Sequence, residues 1–61
     1  MRSVIIDDEL KSREVLTTLL SQFIDGVEVV GGAADISGGL RLIQDKKPEM
    51  VFLDISLKDG D

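Results

Sequence analysis

The 61-residue sequence contains no cysteine and no histidine. A disulfide framework and a thiolate or imidazole metal site are therefore both excluded as means of holding a small core together. Basic residues are also few, since seven Lys and Arg stand against twelve Asp and Glu, which gives a formal net charge of −5. This balance argues against a nucleic-acid surface, because few cations are available to neutralise phosphates. An acidic chain is better suited to binding cations.

Long hydrophobic runs are absent as well. The apolar stretch near the N-terminus is interrupted at Asp7, which makes it too short for a signal peptide, and no segment reaches membrane-spanning length. We therefore expect a cytoplasmic protein with no membrane partner. With 43% hydrophobic and 31% charged residues, the chain has enough apolar material for a core and does not have the composition of a disordered protein. Its length allows one domain or part of one.

Short apolar segments alternate with amphipathic ones along the chain. We predict strands over residues 4–6, 27–30 and 50–53, the second ending at Gly31-Gly32. Leu and Ile at helical spacing predict helices over residues 10–23 and 37–46, and glycines weaken the first turn of the second helix. Strands this uniformly apolar do not face water. The order strand-helix-strand-helix-strand therefore predicts an α/β fold with a parallel sheet and right-handed crossovers.

Carboxylates follow the first and third predicted strands. Asp7 and Asp8 close the first strand, and Asp54 closes the third. In open α/β sheets, sites lie beyond the carboxyl ends of the strands, so the three acids converge if these strands are neighbours. Converging carboxylates repel one another unless a cation neutralises them, and no Lys or Arg is adjacent to any of the three in sequence. Oxygen ligands without soft atoms favour Mg²⁺.

Each acid also has a purely structural interpretation. Asp7 or Asp8 alone is at least as readily explained as a cap of the following helix, because Asp is a favoured N-cap residue. Asp59 and Asp61 are better explained as turn residues around Gly60 than as ligands. Asp54 is harder to explain structurally, because a carboxylate at the end of a central apolar strand needs partners that offset its desolvation.

Over its whole length the chain resembles the receiver domains of two-component response regulators. The matching segments are residues 4–9 (VIIDDE), 29–31 (VVG) followed by 33–34 (AA), 47–48 (KP) and 51–55 (VFLDI). The residues around Asp54 are also similar to receivers that precede LytTR-type DNA-binding domains. The resemblance implies a flavodoxin-like, doubly wound parallel sheet, with strand order 2-1-3 for the three strands present and the two helices on opposite faces.

The resemblance also implies a role for each matched acid. Asp54 would accept a phosphoryl group from the phosphohistidine of a sensor histidine kinase. Asp8 would bind Mg²⁺ directly, Asp7 through water, and Ser56 through its backbone carbonyl. In this interpretation the chain is a phosphoacceptor signalling domain and not an enzyme. It would control transcription through an output domain outside this chain, which alone would contact DNA.

Two departures from the family pattern stand out. Lys58 occupies a position where the family usually has proline, which would make this loop less rigid. Receivers also have two further strand-helix units, which supply a Ser or Thr and a Lys to the phosphoryl group, and residues 1–61 contain neither. We therefore expect the N-terminal half of a receiver, cut in the loop after the third strand. Such a half would self-associate or stay partly unfolded, using the third strand and the helix faces left bare, and it would be phosphorylated little or slowly.

Three other interpretations are weighed against the receiver. A haloacid-dehalogenase-type phosphatase also uses an Asp nucleophile with Mg²⁺, but it places a second acid where this chain has Ser56. Dinucleotide binding is suggested by Gly31-Gly32 after a strand, but no G-x-G-x-x-G is present. The strongest alternative is a non-phosphorylated interaction module with the same half-fold, whose acids bind only metal or nothing and whose exposed sheet edge recruits a partner.

Overall fold

In a computed structural model, which describes residues 1–54, three strands alternate with two helices. Their bounds are Arg2–Asp7 (β1), Leu10–Phe23 (α1), Glu28–Ala33 (β2), Ile36–Lys46 (α2) and Met50–Asp54 (β3). The strands form one parallel sheet in the order β2-β1-β3. The predicted α/β fold and strand order are confirmed. This order matches the first three positions of the flavodoxin-like order 2-1-3-4-5, in which the order reverses between the first and third strands.

The core of the molecule lies along the central strand β1. Val4, Ile5 and Ile6 are at most 4% exposed, because β1 is paired on both edges and the two helices pack over β1 and β2. Leu20 of α1 completes the fully buried apolar set of the described residues. Within residues 1–54, neither helix is both long enough and apolar enough to cross a membrane.

The predicted end of β2 at Gly31-Gly32 is wrong, because the strand continues through both glycines to Ala33. Their low strand propensity is overridden by pairing with β1, in which Val4 lies opposite Gly31 and Ile5 opposite Gly32. A Cβ on Gly31 would lie 2.8 Å from Cδ1 of Leu42 in α2. The glycine therefore allows the helix to approach the sheet closely and does not terminate the strand.

The two helices lie on opposite faces of the sheet, as predicted. Gly31 faces Leu42 of α2, whereas the next residue, Gly32, faces Arg13 of α1. Successive residues of a strand point to opposite faces, so these two contacts place α1 and α2 on different sides. The side chains of odd-numbered β1 residues, including Ile5 and Asp7, are therefore on the α1 side.

α2 begins more firmly than its glycines suggest. The helix starts at Ile36 and not at Ser37, and the carboxylate of Asp35 accepts a hydrogen bond of 2.7 Å from the N–H of Gly38. This bond satisfies one of the free amides of the first turn. The helix ends at Lys46, followed by a left-handed residue at Lys47 with φ 48°.

Gly39 is a buried point of close contact between α2 and the core. A Cβ on Gly39 would collide with Cδ1 of the buried Ile6 and lie 2.9 Å from its Cγ1. We expect Gly39→Val to lower the free energy of unfolding by about 2–3 kcal/mol, because overpacking displaces α2 or forces Ile6 off its rotamer. Denaturant unfolding followed by circular dichroism measures the change.

The matched control is Leu40→Val, which introduces the same side chain one residue later at a position that is 56% exposed. It should cost only about 0.5 kcal/mol, the difference in helix propensity. Equal losses of stability for Gly39→Val and Leu40→Val would show that the contact with Ile6 is not tight.

Candidate functional site

Two carboxylates meet at the carboxyl edge of the sheet. Asp7 is the last residue of β1, Asp54 is the last residue of β3, and the two are register partners. Neighbouring strands lie about 5 Å apart, and register partners point to the same face. The structure therefore brings Asp7 and Asp54 together on the α1 side of the sheet, as the strand-end argument predicts.

The two acids line an open cavity of about 310 Å³ between the sheet edge and the start of α1. Its lining residues are Asp7, Glu9, Lys11, Ser12, Val15, Leu16 and Asp54. Asp7 is only 3% exposed, whereas Asp54 is exposed. This asymmetry suits two different roles, because a nucleophile must be reached by its reagent and a structural or metal-orienting carboxylate need not be.

Asp7 is held by a local hydrogen bond. Its Oδ1 accepts from the N–H of Glu9 at 2.9 Å. Glu9 is itself the N-cap residue of α1, with no capping bond from its side chain. Neither Asp7 nor Asp8 therefore occupies the N-cap, and the capping interpretation of these two acids is wrong. The bond of Asp7 shapes the turn that joins β1 to the helix.

Asp8 follows directly after β1 and is exposed. Among residues 1–54, no group of three or more acidic side chains is arranged to hold a metal ion. Mg²⁺ does not require such a group, because it commonly takes one or two carboxylates and completes its octahedron with water and phosphate oxygens. The donors on the cavity are oxygen atoms with no soft ligand, which fits Mg²⁺, although Asp8 is not among the residues that line it. Ser56 and the loop residues Lys58, Asp59 and Asp61 lie outside the described residues.

Helix α1 contributes residues to the site that are not predicted from the sequence. Lys11 and Ser12 line the cavity of Asp7 and Asp54. The guanidinium of Arg13 donates from Nη1 to the backbone oxygen of Asp7 at 2.7 Å. No cation is adjacent to the acids in sequence, but two cationic side chains from the first turn of α1 lie close to them in the fold. Lys11 lines the cavity, and Arg13 contacts the backbone of Asp7. The signal was available in the position of that turn, directly after β1.

Comparison with known proteins identifies relatives over nearly the whole chain. The chain is 46% identical over 57 residues to an uncharacterized response regulatory protein of Vibrio vulnificus. It is 36% identical over 59 residues to the sensory transduction protein LytT of Bacillus anthracis. It is also 39% identical over 57 residues to protein-glutamate methylesterase/protein-glutamine glutaminase 3 of Rhodopseudomonas palustris.

These matches cover most of this chain but only a small part of each relative. They take in 93%, 97% and 93% of this chain respectively, but only 23%, 24% and 15% of the relatives. The chain thus spans about a quarter or less of the length of these proteins and matches the N-terminal part of a receiver domain. No family model matches the chain, and no solved structure matches it.

Proposed function

From the homology of the chain to response regulatory proteins, we propose that it serves two-component signalling by accepting a phosphoryl group on Asp54. The observation that carries the proposal is the pairing of an exposed Asp54 with a buried Asp7 at the carboxyl edge of the sheet. The homology supports the response-regulator role, and the paired acids support the position of the acceptor. The donor we propose is the phosphohistidine of a sensor histidine kinase.

The proposed reaction is a single displacement at phosphorus. A carboxylate oxygen of Asp54 forms the new P–O bond while the P–N bond to the kinase imidazole breaks, and the imidazole leaves with the electron pair of that bond. Such a transfer depends mainly on positioning and on neutralising charge. Mg²⁺, when bound, supplies positive charge to the phosphoryl oxygens. Asp8, Asp7 and the carbonyl of Ser56 are the groups we propose to hold it.

The described residues have complementary parts in this scheme. Asp54 is exposed at the mouth of the cavity, so a phosphoryl donor can approach it. Asp7 is fixed by the Glu9 amide and is therefore preorganised before any ligand arrives. Lys11, on the same cavity, provides a positive charge within the site that partly offsets the repulsion of the acids.

The output and the cellular setting are also part of the proposal. We place the chain in the cytoplasm, where a sensor kinase presents its phosphohistidine, and assign transcription control to residues other than these. One relative is by name a methylesterase and glutaminase, but the chain covers only 15% of that protein. We propose that this chain contributes phosphoryl acceptance and no hydrolytic activity.

Acyl phosphate labelling tests the proposal directly. The protein carrying this chain, incubated with acetyl phosphate and Mg²⁺, should gain one phosphoryl group that is stable in acid and labile in base. Intact-mass spectrometry counts the groups, and the same incubation with excess EDTA is the control. No gain with Mg²⁺, or an equal gain with EDTA, would contradict the proposal.

The alternative function, an interaction module, is favoured by the exposure of β3. Both helices pack over β1 and β2, and Val51 and Leu53 of β3 are 40% and 61% exposed. An apolar strand with an open face and unpaired backbone groups is a template for association. We therefore expect a polypeptide of these 61 residues to self-associate or remain partly unfolded.

Sedimentation velocity across a wide concentration range measures this association. Leu53→Lys should shift the population towards monomer, because a charge on an edge strand opposes pairing. The control is Leu10→Lys, since Leu10 is equally exposed at 60% but lies in α1. A compact parent monomer with a cooperative unfolding transition at all concentrations would refute self-association.

A further inference from the structure

Arg13 connects three elements of the fold at the carboxyl edge of the sheet. Its backbone is in the first turn of α1, where its N–H donates to the carbonyl of Glu9 at 3.1 Å. Its side chain leaves the helix and crosses towards β2, so that Cδ and Nε pass over Gly32. Its guanidinium then donates from Nη1 to the backbone oxygen of Asp7, the last residue of β1. The side chain is half-buried along this path.

The hydrogen bond to Asp7 continues the sheet pairing where β2 has ended. Pairing between β1 and β2 stops at Ile6 and Ala33, one residue before Asp7. The carbonyl of Asp7 therefore has no partner in that ladder, and the guanidinium takes the place of a strand amide. A charged donor at 2.7 Å is stronger than an ordinary amide donor. The peptide between Asp7 and Asp8 is held by this bond.

Gly32 of β2 lies beside the stem of the arginine. A Cβ built on Gly32 would lie 3.4 Å from Cδ of Arg13 and 3.6 Å from its Nε. Both separations are ordinary van der Waals contacts, so an alanine at position 32 would pack against the arginine stem without displacing it. The φ of Gly32 is not in the left-handed region, so its backbone does not require glycine.

We infer that Arg13 is a positioning residue for the metal-binding acids: by fixing the peptide that joins Asp7 to Asp8, it sets the direction of both carboxylates. The inference rests on the proposed function, since it concerns the same Mg²⁺ site. A positive charge near a cation site would by itself weaken Mg²⁺ binding. Arg13 can therefore favour binding only through geometry, and the two effects predict opposite signs when the arginine is removed.

The test compares Arg13→Met with the parent in the full protein that carries this chain. Methionine keeps most of the apolar stem but has neither charge nor donor. If geometry dominates, Mg²⁺ affinity should fall about tenfold, as is typical when an outer-shell partner is lost. Titration of Mg²⁺ followed through the amide resonances of Asp8 and Asp54 gives the dissociation constant. Arg13→Lys, which keeps the charge but not the planar donor, should recover only part of the affinity.

Arg41→Met is the matched control, because Arg41 is an exposed arginine on α2, on the other face of the sheet. It makes the same change in net charge and should alter Mg²⁺ affinity by less than about twofold, since surface charges at a distance are screened. Equal or tighter Mg²⁺ binding by Arg13→Met would overturn the inference.

A readout without metal separates this inference from the proposed function. In the Mg²⁺-free protein, the Glu9 amide donates to Oδ1 of Asp7, so it reports the direction of that carboxylate. Arg13→Met should make hydrogen exchange of this amide at least about tenfold faster, whereas Arg41→Met should not. If the parent does not bind Mg²⁺, the proposed function fails. Hydrogen exchange of the Glu9 amide would then still test whether Arg13 positions the Asp7 carboxylate. Unchanged exchange in a folded Arg13→Met protein would overturn that role.

Discussion

Replacing Asp54 by Asn should abolish phosphoryl incorporation from acetyl phosphate or from a kinase donor. A carboxamide oxygen is a poor nucleophile and cannot form an acyl phosphate, so the loss should be complete and not partial. Asp54 is exposed at the end of β3, and the amide is nearly isosteric with the acid. The fold should therefore survive the substitution, with a change in the free energy of unfolding of about 0.5 kcal/mol or less.

The matched control for Asp54→Asn is Asp45→Asn, which removes another exposed carboxylate, in the last turn of α2. This variant should incorporate the parent amount of phosphoryl group. Intact-mass spectrometry after identical incubations compares the three proteins. Retention of the label in Asp54→Asn would place the acceptor elsewhere.

Replacing Asp8 by Asn should remove the response of the protein to Mg²⁺. As a direct ligand, Asp8 would contribute a formal charge and an oxygen to the ion, and its loss should exceed the 10–100-fold effect typical of an outer-shell residue. We therefore expect affinity to fall by more than about a hundredfold. The shifts that Mg²⁺ causes in the amide resonances near Asp8 and Asp54 measure it.

Asp25→Asn serves as the control, because Asp25 is an exposed acid in the turn before β2 and carries the same charge. Its Mg²⁺ affinity should remain within about twofold of the parent, because its carboxylate is outside the site and screened by salt. An Asp8→Asn protein that binds Mg²⁺ as well as the parent would show that Asp8 is not a ligand.

The sequence predicts the architecture well because each element carries its own periodicity. α1 is found at the predicted residues 10–23, since its apolar residues recur at helical spacing without interruption. β3 extends one residue beyond its predicted end and terminates in the acid itself, Asp54. The parallel order follows from strands that are apolar on both faces, a property that β1 shows in full. These are local signals that tertiary structure reinforces.

Glycine was the least reliable signal, because its meaning depends on the neighbouring element. Gly31 was interpreted as a strand terminator, yet it is a place where Leu42 of α2 approaches the sheet. Gly39 was counted as a cost to α2, yet it permits the contact with Ile6. Sequence alone does not show which helix covers which strand, so a glycine that breaks an element and one that admits a neighbour look the same.

The candidate site was predicted only in the part that depends on strand ends. Asp7 and Asp54 could be paired because parallel strands end at one edge. The contributions of Lys11 and Arg13 required the orientation of α1 relative to β1 and β2, which is a tertiary property. Helical periodicity separates the polar from the apolar faces of α1 but does not show which polar side chains border the acids.

The most direct test of phosphoryl acceptance at Asp54 is chemical mapping of the modified residue. Protein labelled with acetyl phosphate and Mg²⁺ is reduced with borohydride, which converts an aspartyl phosphate into homoserine, and the peptides are sequenced by mass spectrometry. Because Asp54 is the exposed member of the Asp7–Asp54 pair at the carboxyl edge, we expect homoserine at position 54 alone, and none when EDTA is present. Homoserine at another position, or unmodified Asp54 in fully labelled protein, would contradict the account.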